Sequence, residues 1–260
     1  MALFVPLAAV VAFLVAIWAL SIPLRDASIV DIAWGPAFVV VAWLAFAVGD
    51  GASGRSTLLA VLVTVWGVRL GAYLAWRNLG HGEDRRYVAM RRKHPHFVLW
   101  SLFGVFLLQA VLARIVALPV QLAMGDATPP AVGWLGRVGA AVWLVGFAFE
   151  SIGDLQLARF KASPDSEGQV MDRGLWRYTR HPNYFGDCVV WWGIFLVAAE
   201  TGTAGWGIVG PVVMTVLLTR VSGKDLLERT IGKRRPGYAE YVERTSGFVP
   251  LPPRRRAPLT

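Results

Sequence analysis

Seven long apolar runs constrain this chain more than any other feature. They fall at roughly 3–22, 29–48, 57–76, 97–122, 132–154, 185–199 and 205–221. About twenty apolar residues are what an α-helix needs to cross the hydrocarbon core of a bilayer. Within lipid, every backbone N–H and C=O must be satisfied inside a helix or a closed barrel. Barrel strands would alternate apolar and polar residues; these runs do not alternate, so they predict helices. The expected fold is all-α: a polytopic membrane helix bundle of about seven transmembrane helices. Residues 1–260 are read as one membrane domain, with the catalytic and cofactor-binding half over about 140–250. The basic stretch 251–260 is read as an unstructured tail near anionic lipid. The first run lacks a basic leading segment and is longer than the apolar core of a signal peptide, so it is read as a retained helix.

The loops supply an independent check. Residues 77–96 contain Arg77, Arg85, Arg86, Arg91, Arg92 and Lys93; residues 155–182 contain Arg159, Lys161, Arg173, Arg177 and Arg180; the stretch from Arg220 is strongly basic. Residues 123–131 and 200–204 carry no Lys or Arg, and the loop around Asp50 and Arg55 is nearly neutral. Cytoplasmic loops retain Lys and Arg, so this alternation predicts the N-terminus outside, the C-terminus cytoplasmic, and a bacterial inner membrane as the location. It also accounts for the net charge of +9 without nucleic acid. Trp18, Trp43, Trp66, Trp76, Trp100 and Trp134 lie toward the ends of runs, where amphipathic aromatics favour the headgroup boundary. The single Cys188 excludes an internal disulfide. His81, His94, His96 and His181 have no i, i+4 pairing, so no metal is expected.

Gly49-Asp50-Gly51-Ala52-Ser53-Gly54 matches the dinucleotide fingerprint G-x-G-x-x-G. That fingerprint works only between a strand and a helix; between two membrane helices it reads as a turn. More informative are the polar groups inside spans, which are costly there and usually face a cavity. Glu150, Asp154 and Lys161 share one helical face by their spacing, as do Trp66, Arg69, Tyr73 and Arg77. Each set admits a structural reading, a paired charge face, beside a ligand-binding one. Asp31 opens the string Asp-Ile-Ala-Trp-Gly-Pro and is either a helix-start residue or a functional acid. Gln109 and Arg114 are further polar groups in the fourth run.

The densest constellation runs from Gly174 to Asp187. It contains Trp176, Arg177, Tyr178, Arg180, His181, Asn183, Tyr184 and Asp187, with Pro182 just before a helix start. Forked guanidinium groups suit phosphate, aromatic faces suit a flat ring, and an Asn amide both donates and accepts. A basic interfacial loop would explain the arginines but not the Asn-Tyr-x-Gly-Asp run. Past Arg220 come Asp225, Glu228 and a short predicted helix after Pro236 carrying Tyr238 and Tyr241. That helix is either an amphipathic surface element or a lid over a cytoplasmic pocket.

These residues carry a resemblance. Gly153-Asp-Leu-Gln-Leu-Ala-Arg-Phe-Lys161 and the Gly174–Asp187 stretch resemble the bacterial, DUF1295-type branch of the steroid 5-alpha-reductase-like family. The tail from Arg234 to Pro250, Asp-Ile-Ala-Trp-Gly at residue 31 and Trp-Gly-Val-Arg-Leu at residue 66 extend the likeness over most of the chain. The resemblance implies NADPH in a cytoplasm-facing pocket and a steroid-like or isoprenoid lipid entering from the bilayer. It implies Glu150, Asp154, Lys161, Asn183 and Asp187 around the cofactor, with Glu150 standing where the family has Asn. The family's catalytic acid falls on Asp31, and its partner Tyr falls on Trp66, which cannot protonate a carbonyl. The expected reaction is hydride transfer to an alkene conjugated to a carbonyl, with Asp31 or Tyr73 polarising the oxygen. Arg69, Arg173, Trp176, Arg177, Arg180, His181, Tyr184, Tyr238 and Tyr241 complete the expected binding set, in a monomer.

Two rivals stay open. A methyltransferase of the same superfamily would hold S-adenosylmethionine with the Arg-His-Pro-Asn-Tyr loop, Asp225 and Glu228, although Lys161, Arg173, Arg177 and Arg180 exceed what a cofactor without phosphates requires. A transporter or scaffold would leave the Asn, Tyr, Arg and His of the loop without a task, and no symmetric pair of broken helices suggests transport.

Overall fold

The computed structural model describes residues 4–221, 223, 224, 228 and 235–254. Among these residues there is helix, turn and a single isolated bridge between Thr179 and Ser246. Five helices are long and apolar enough to cross a membrane: α1 (Phe4–Leu24), α2 (Ile29–Val48), α3 (Ser53–Asn78), α5 (Phe97–Val116) and α7 (Trp134–Ala162). A short basic helix, α4 (Arg85–Lys93), and a one-to-two-turn helix, α6 (Leu118–Met124), lie between them. The last two apolar runs are also helical. They form α8 (Pro182–Ala198, 17 residues) and a segment, Gly205–Val221, centred on α9 (Val209–Val216). Each is shorter than the roughly twenty residues that span a hydrocarbon core without adjustment. A final helix, α10 (Tyr238–Arg244), follows the left-handed Gly237, whose φ is 81°.

The chain forms two compact units. The first comprises residues 1–138 and 194–210. Within it α2 lies against α1 and α3. The approach of α2 to α3 depends on Gly35 and Gly67: a Cβ on Gly35 would sit 2.3 Å from the Gly67 carbonyl oxygen. Small residues permit such backbone contact where lipid provides no hydrophobic drive between helices. Trp66 fills the space beside this contact. It is fully buried and meets Phe38 edge-on at 5.3 Å. The headgroup position expected for Trp66 is therefore corrected, because a residue in the middle of a 26-residue helix faces its neighbour; Trp76 and Trp134, at helix ends, are largely exposed. Arg55, read from the sequence as a loop charge, is wholly buried in the first turn of α3. Its guanidinium donates to the carbonyls of Asp126 and Pro129, so it clamps the loop after α6. Gln109 and Arg114 are only partly buried.

The second unit comprises residues 139–193 and 211–260. Its α7 and α8 segments touch backbone to backbone through glycines spaced seven apart, Gly146 and Gly153 on one, Gly186 and Gly193 on the other. A Cβ on Gly186 would lie 2.3 Å from the Glu150 amide nitrogen, and one on Gly193 2.5 Å from that of Trp143. Because those obstacles are backbone, Gly186→Ala must push the helices apart. We expect it to cost about 2 kcal/mol, within the usual range for overpacking. Melting in detergent against Gly54→Ala, where a Cβ meets nothing, checks this; equal melting of the two variants would remove the packing argument.

Candidate functional site

Two groups of chemistry-bearing residues arise, one in each unit. In the first unit, Asp31 lies in the opening turn of α2. It does not cap that helix with its side chain. Its Oδ1 accepts from the Tyr87 hydroxyl at 2.7 Å and its Oδ2 from Arg86 Nη2 at 2.7 Å. Both donors come from α4, which Asp84 starts by accepting the Arg86 amide at 2.9 Å. The loop before α4 is anchored in turn by Glu83, which accepts from the Ala27 amide and twice from Arg91. Burial opposes charge on Glu83, but the bonds from Arg91 and Ala27 prevail and hold its carboxyl below the usual range. Burial, and then the negative charge of Asp31, push the Tyr87 phenol well above its ordinary value, so it keeps its proton at every physiological pH.

Tyr87 and Arg86 were missed in the sequence because they lie 56 and 55 residues from Asp31. The signal available was weak: Tyr87 is the one tyrosine in the basic loop 77–96. Trp66, at the position where a partner tyrosine is expected, is enclosed against Phe38. Arg69 and Arg77 lie over the ring of Tyr73 at 5.4 and 5.6 Å, so the face predicted for α3 exists, with Tyr73 flanked by two cations.

In the second unit, the glycine contacts bring Glu150 and Asp154 of α7 opposite Asn183 and Asp187 of α8. All three carboxylates are buried, Glu150 2%, Asp154 4% and Asp187 8% exposed. Asn183 Nδ2 donates to Asp154 Oδ1 at 3.0 Å, which fixes the amide orientation. The Asn183 Oδ1 is buried and accepts no hydrogen bond from the protein. An orphaned buried acceptor costs on the order of 1–3 kcal/mol, so a partner that supplies a donor there is favoured.

The rest of the unit positions these groups. The turn Gly174–Arg177 is pinned to α7 by Trp176 Nε1, which donates to the Gly153 carbonyl at 3.0 Å, and by the Leu175 amide, which donates to Gln156. Gly174 has a φ of 58°, with the Gln156 side chain where its Cβ would be. Arg173 and Arg177 flank the turn with exposed side chains, and Lys161 is exposed at the end of α7. His181 stacks on Tyr184 with ring centroids 5.6 Å apart.

Arg180 has a different role from its neighbours. It gives Nε and Nη2 to Glu228 at 2.9 and 3.2 Å, and Nη1 to the carbonyls of Val242 and Thr245. His181 Nε2 also meets Glu228, at 2.9 Å. Burial disfavours charge on Glu228, yet the bonds from His181 and Arg180 dominate and hold its carboxyl down to about 2. Tyr241, on α10, donates its hydroxyl to the Trp176 carbonyl, and Thr179 donates to the Phe248 carbonyl. Tyr238 is buried beside it, its phenol pushed up to about 12 by burial and then by the charge on Glu228. The segment 235–254 is therefore strapped onto the 172–181 loop. Asp225 lies outside the described residues. Among the described residues no three His, Cys, Asp or Glu side chains gather in a metal-binding group.

Five membrane-length apolar helices, with ionisable groups buried among them, define a polytopic integral membrane protein of the all-α class. The chain belongs to the family described as protein of unknown function (DUF1295), which it matches over residues 11–245. It is also similar to the uncharacterized protein C594.04c of Schizosaccharomyces pombe, 26% identical over 268 aligned positions that cover 90% of this chain and 75% of the relative. No solved structure matches it.

Proposed function

We propose that this protein is a membrane-embedded, NADPH-dependent reductase of a carbon–carbon double bond conjugated to a carbonyl in a steroid-like or isoprenoid lipid. The observation that carries the reading is Asn183: its amide is oriented by Asp154 while its carbonyl oxygen is buried and unsatisfied. Such an oxygen suits the amide N–H of a nicotinamide or a ribose hydroxyl. Lys161, Arg173 and Arg177, exposed at the ends of the same elements, suit phosphate. Arg180 is spent on Glu228 and two carbonyls, so the reading gives it a positioning role in the loop rather than a phosphate contact.

NADPH when bound would supply the hydride. Reduction of an enone also requires a proton, assigned here to Tyr87 Oη: its hydrogen turns from Asp31 to the enolate oxygen as negative charge develops there, and the phenolate regains a proton from water. Asp31 accepts from both Tyr87 and Arg86, so it orients the phenol instead of donating a proton itself. The topology stays that of the loop charges, with the N-terminus outside, the C-terminus and the NADPH site cytoplasmic, and α8 and Gly205–Val221 completing seven crossings of a bacterial inner membrane. Helices of 17 residues can cross where the bilayer thins or flanking side chains reach outward.

One observation favours S-adenosylmethionine instead. Three buried carboxylates beside Asn183 suit a cationic sulfonium better than a phosphorylated cofactor. A thermal-shift comparison separates the two. NADPH is expected to raise the melting temperature of detergent-purified wild type by mass action, and the shift is expected to vanish in Asn183→Ala. A shift with S-adenosylmethionine alone would replace the reductase by a methyltransferase.

A further inference from the structure

Beyond the far end of α4, the start of α5 presents two open grooves of about 540 and 610 Å³ that share His96 and Leu99. One is apolar and is lined by Leu99, Trp100, Phe103 and Gly104. The other carries the polar end, with Arg91, His94 and Trp18. The apolar slot has a structural cause. Residues Leu102–Leu107 form a π-helical turn, which widens the helix at this point, and such turns recur at functional sites. The indole of Trp100 lies over Gly104, so close that a Cβ there would fall 2.9 Å from the ring. His94 stacks on the same indole, with ring centroids 4.0 Å apart and planes 10° from parallel. Trp18 Nε1 donates to the Val98 carbonyl at 3.0 Å and fixes the opposite wall.

The rim charge complements one class of occupant. The last turn of α4 is Arg91-Arg92-Lys93, and Arg92, Lys93 and His96 are exposed. Of the three residues of that turn, only Arg91 has its charge matched by a neighbouring acid, Glu83, among the described residues. Arg92 and Lys93 close α4 three to four residues before His96, and the exposed apolar slot begins at His96 and Leu99. Phe103 and Leu99 are both more than half exposed, as lipid-facing residues are. Basic residues beside a span attract anionic headgroups within about a Debye length, and Trp side chains favour the same depth.

We propose that this double groove is a specific site for a phospholipid with a net-anionic headgroup. The phosphate lies by Lys93 and His96, and one acyl chain lies in the Trp100–Phe103–Gly104 slot.

Full-length protein in nonionic detergent, offered phosphatidylglycerol and phosphatidylcholine of matched chains, is read by native mass spectrometry. Wild type is expected to retain phosphatidylglycerol roughly tenfold over phosphatidylcholine. Gly104→Leu fills the slot and is expected to abolish that retention. His96→Glu, at an exposed position that leaves packing intact, is expected to remove the headgroup preference. Equal retention of the two lipids by wild type, or an unchanged preference in His96→Glu, overturns the site.

Discussion

Glu228→Ala is expected to destabilise the second unit by about 3 kcal/mol, the lower end of what breaking a buried ion pair costs. Removing the carboxylate leaves Arg180, whose side chain is only 10% exposed, with its charge uncompensated. It also deprives His181 of its partner at 2.9 Å. The damage should extend to the segment 235–254, because Arg180 holds Val242 and Thr245 and loses its fixed orientation with Glu228. Limited proteolysis should therefore cut 235–254 sooner in the variant, alongside a lower melting temperature. The pH dependence has a definite sign. A carboxyl held near 2 in the folded protein, against an ordinary value near 4.5, gives stability that is complete above about pH 4.5 and is lost as pH falls toward 2. Wild type should lose this increment in that window, and Glu228→Ala should not. Identical acid profiles for the two proteins would mean that the pair contributes nothing.

Tyr87→Phe is expected to lower turnover of any enone lipid that wild type reduces by roughly 10²–10⁴-fold, the usual range for a positioned proton donor. The phenylalanine preserves the ring over which Arg86 lies at 5.5 Å and removes only the hydroxyl bonded to Asp31. Packing should therefore survive, and the thermal shift with NADPH should match that of wild type, since the hydroxyl removed is not among the groups assigned to the cofactor. The loss should fall on kcat rather than KM, because the hydroxyl is required as charge develops on the carbonyl oxygen and not for uptake of the lipid. Asp31→Asn should give a smaller loss, since it leaves the phenol in place and weakens only its orientation. If Tyr87→Phe turns over at the wild-type rate, the proton comes from elsewhere, and Tyr73 becomes the next residue to replace.

Much of the architecture was legible in the residues. The helices of the seven apolar runs follow from continuous hydropathy. The sharing of a face by Arg69, Tyr73 and Arg77 follows from their spacing, and so does the α10 helix carrying Tyr238 and Tyr241. The position of Asn183 and Asp187 at the start of α8 was legible too, whereas their approach to Glu150 and Asp154 was implied only by the family resemblance. The glycines at intervals of seven on α7 and α8, which make that approach possible, were present in the sequence and went unread. Other features had no local trace. Trp66 looked interfacial and is enclosed; Arg55 looked like a neutral loop's counter-charge and is wholly buried on carbonyls.

Arg180, read with Arg177 as a forked group suited to phosphate, instead ties three chain segments together. Tyr87 had no visible tie to Asp31 at all.

The division has a physical cause. Whether a segment prefers lipid, and which residues line one face of a helix, depends on transfer free energies and on a fixed 3.6-residue repeat, both written within some twenty neighbouring residues. Which donor meets which acceptor in these contacts depends on how the chain folds back across 47 to 74 residues. No local pattern encodes that distance, so the partners of Asp31, Arg55 and Arg180 were decided only when the helices packed.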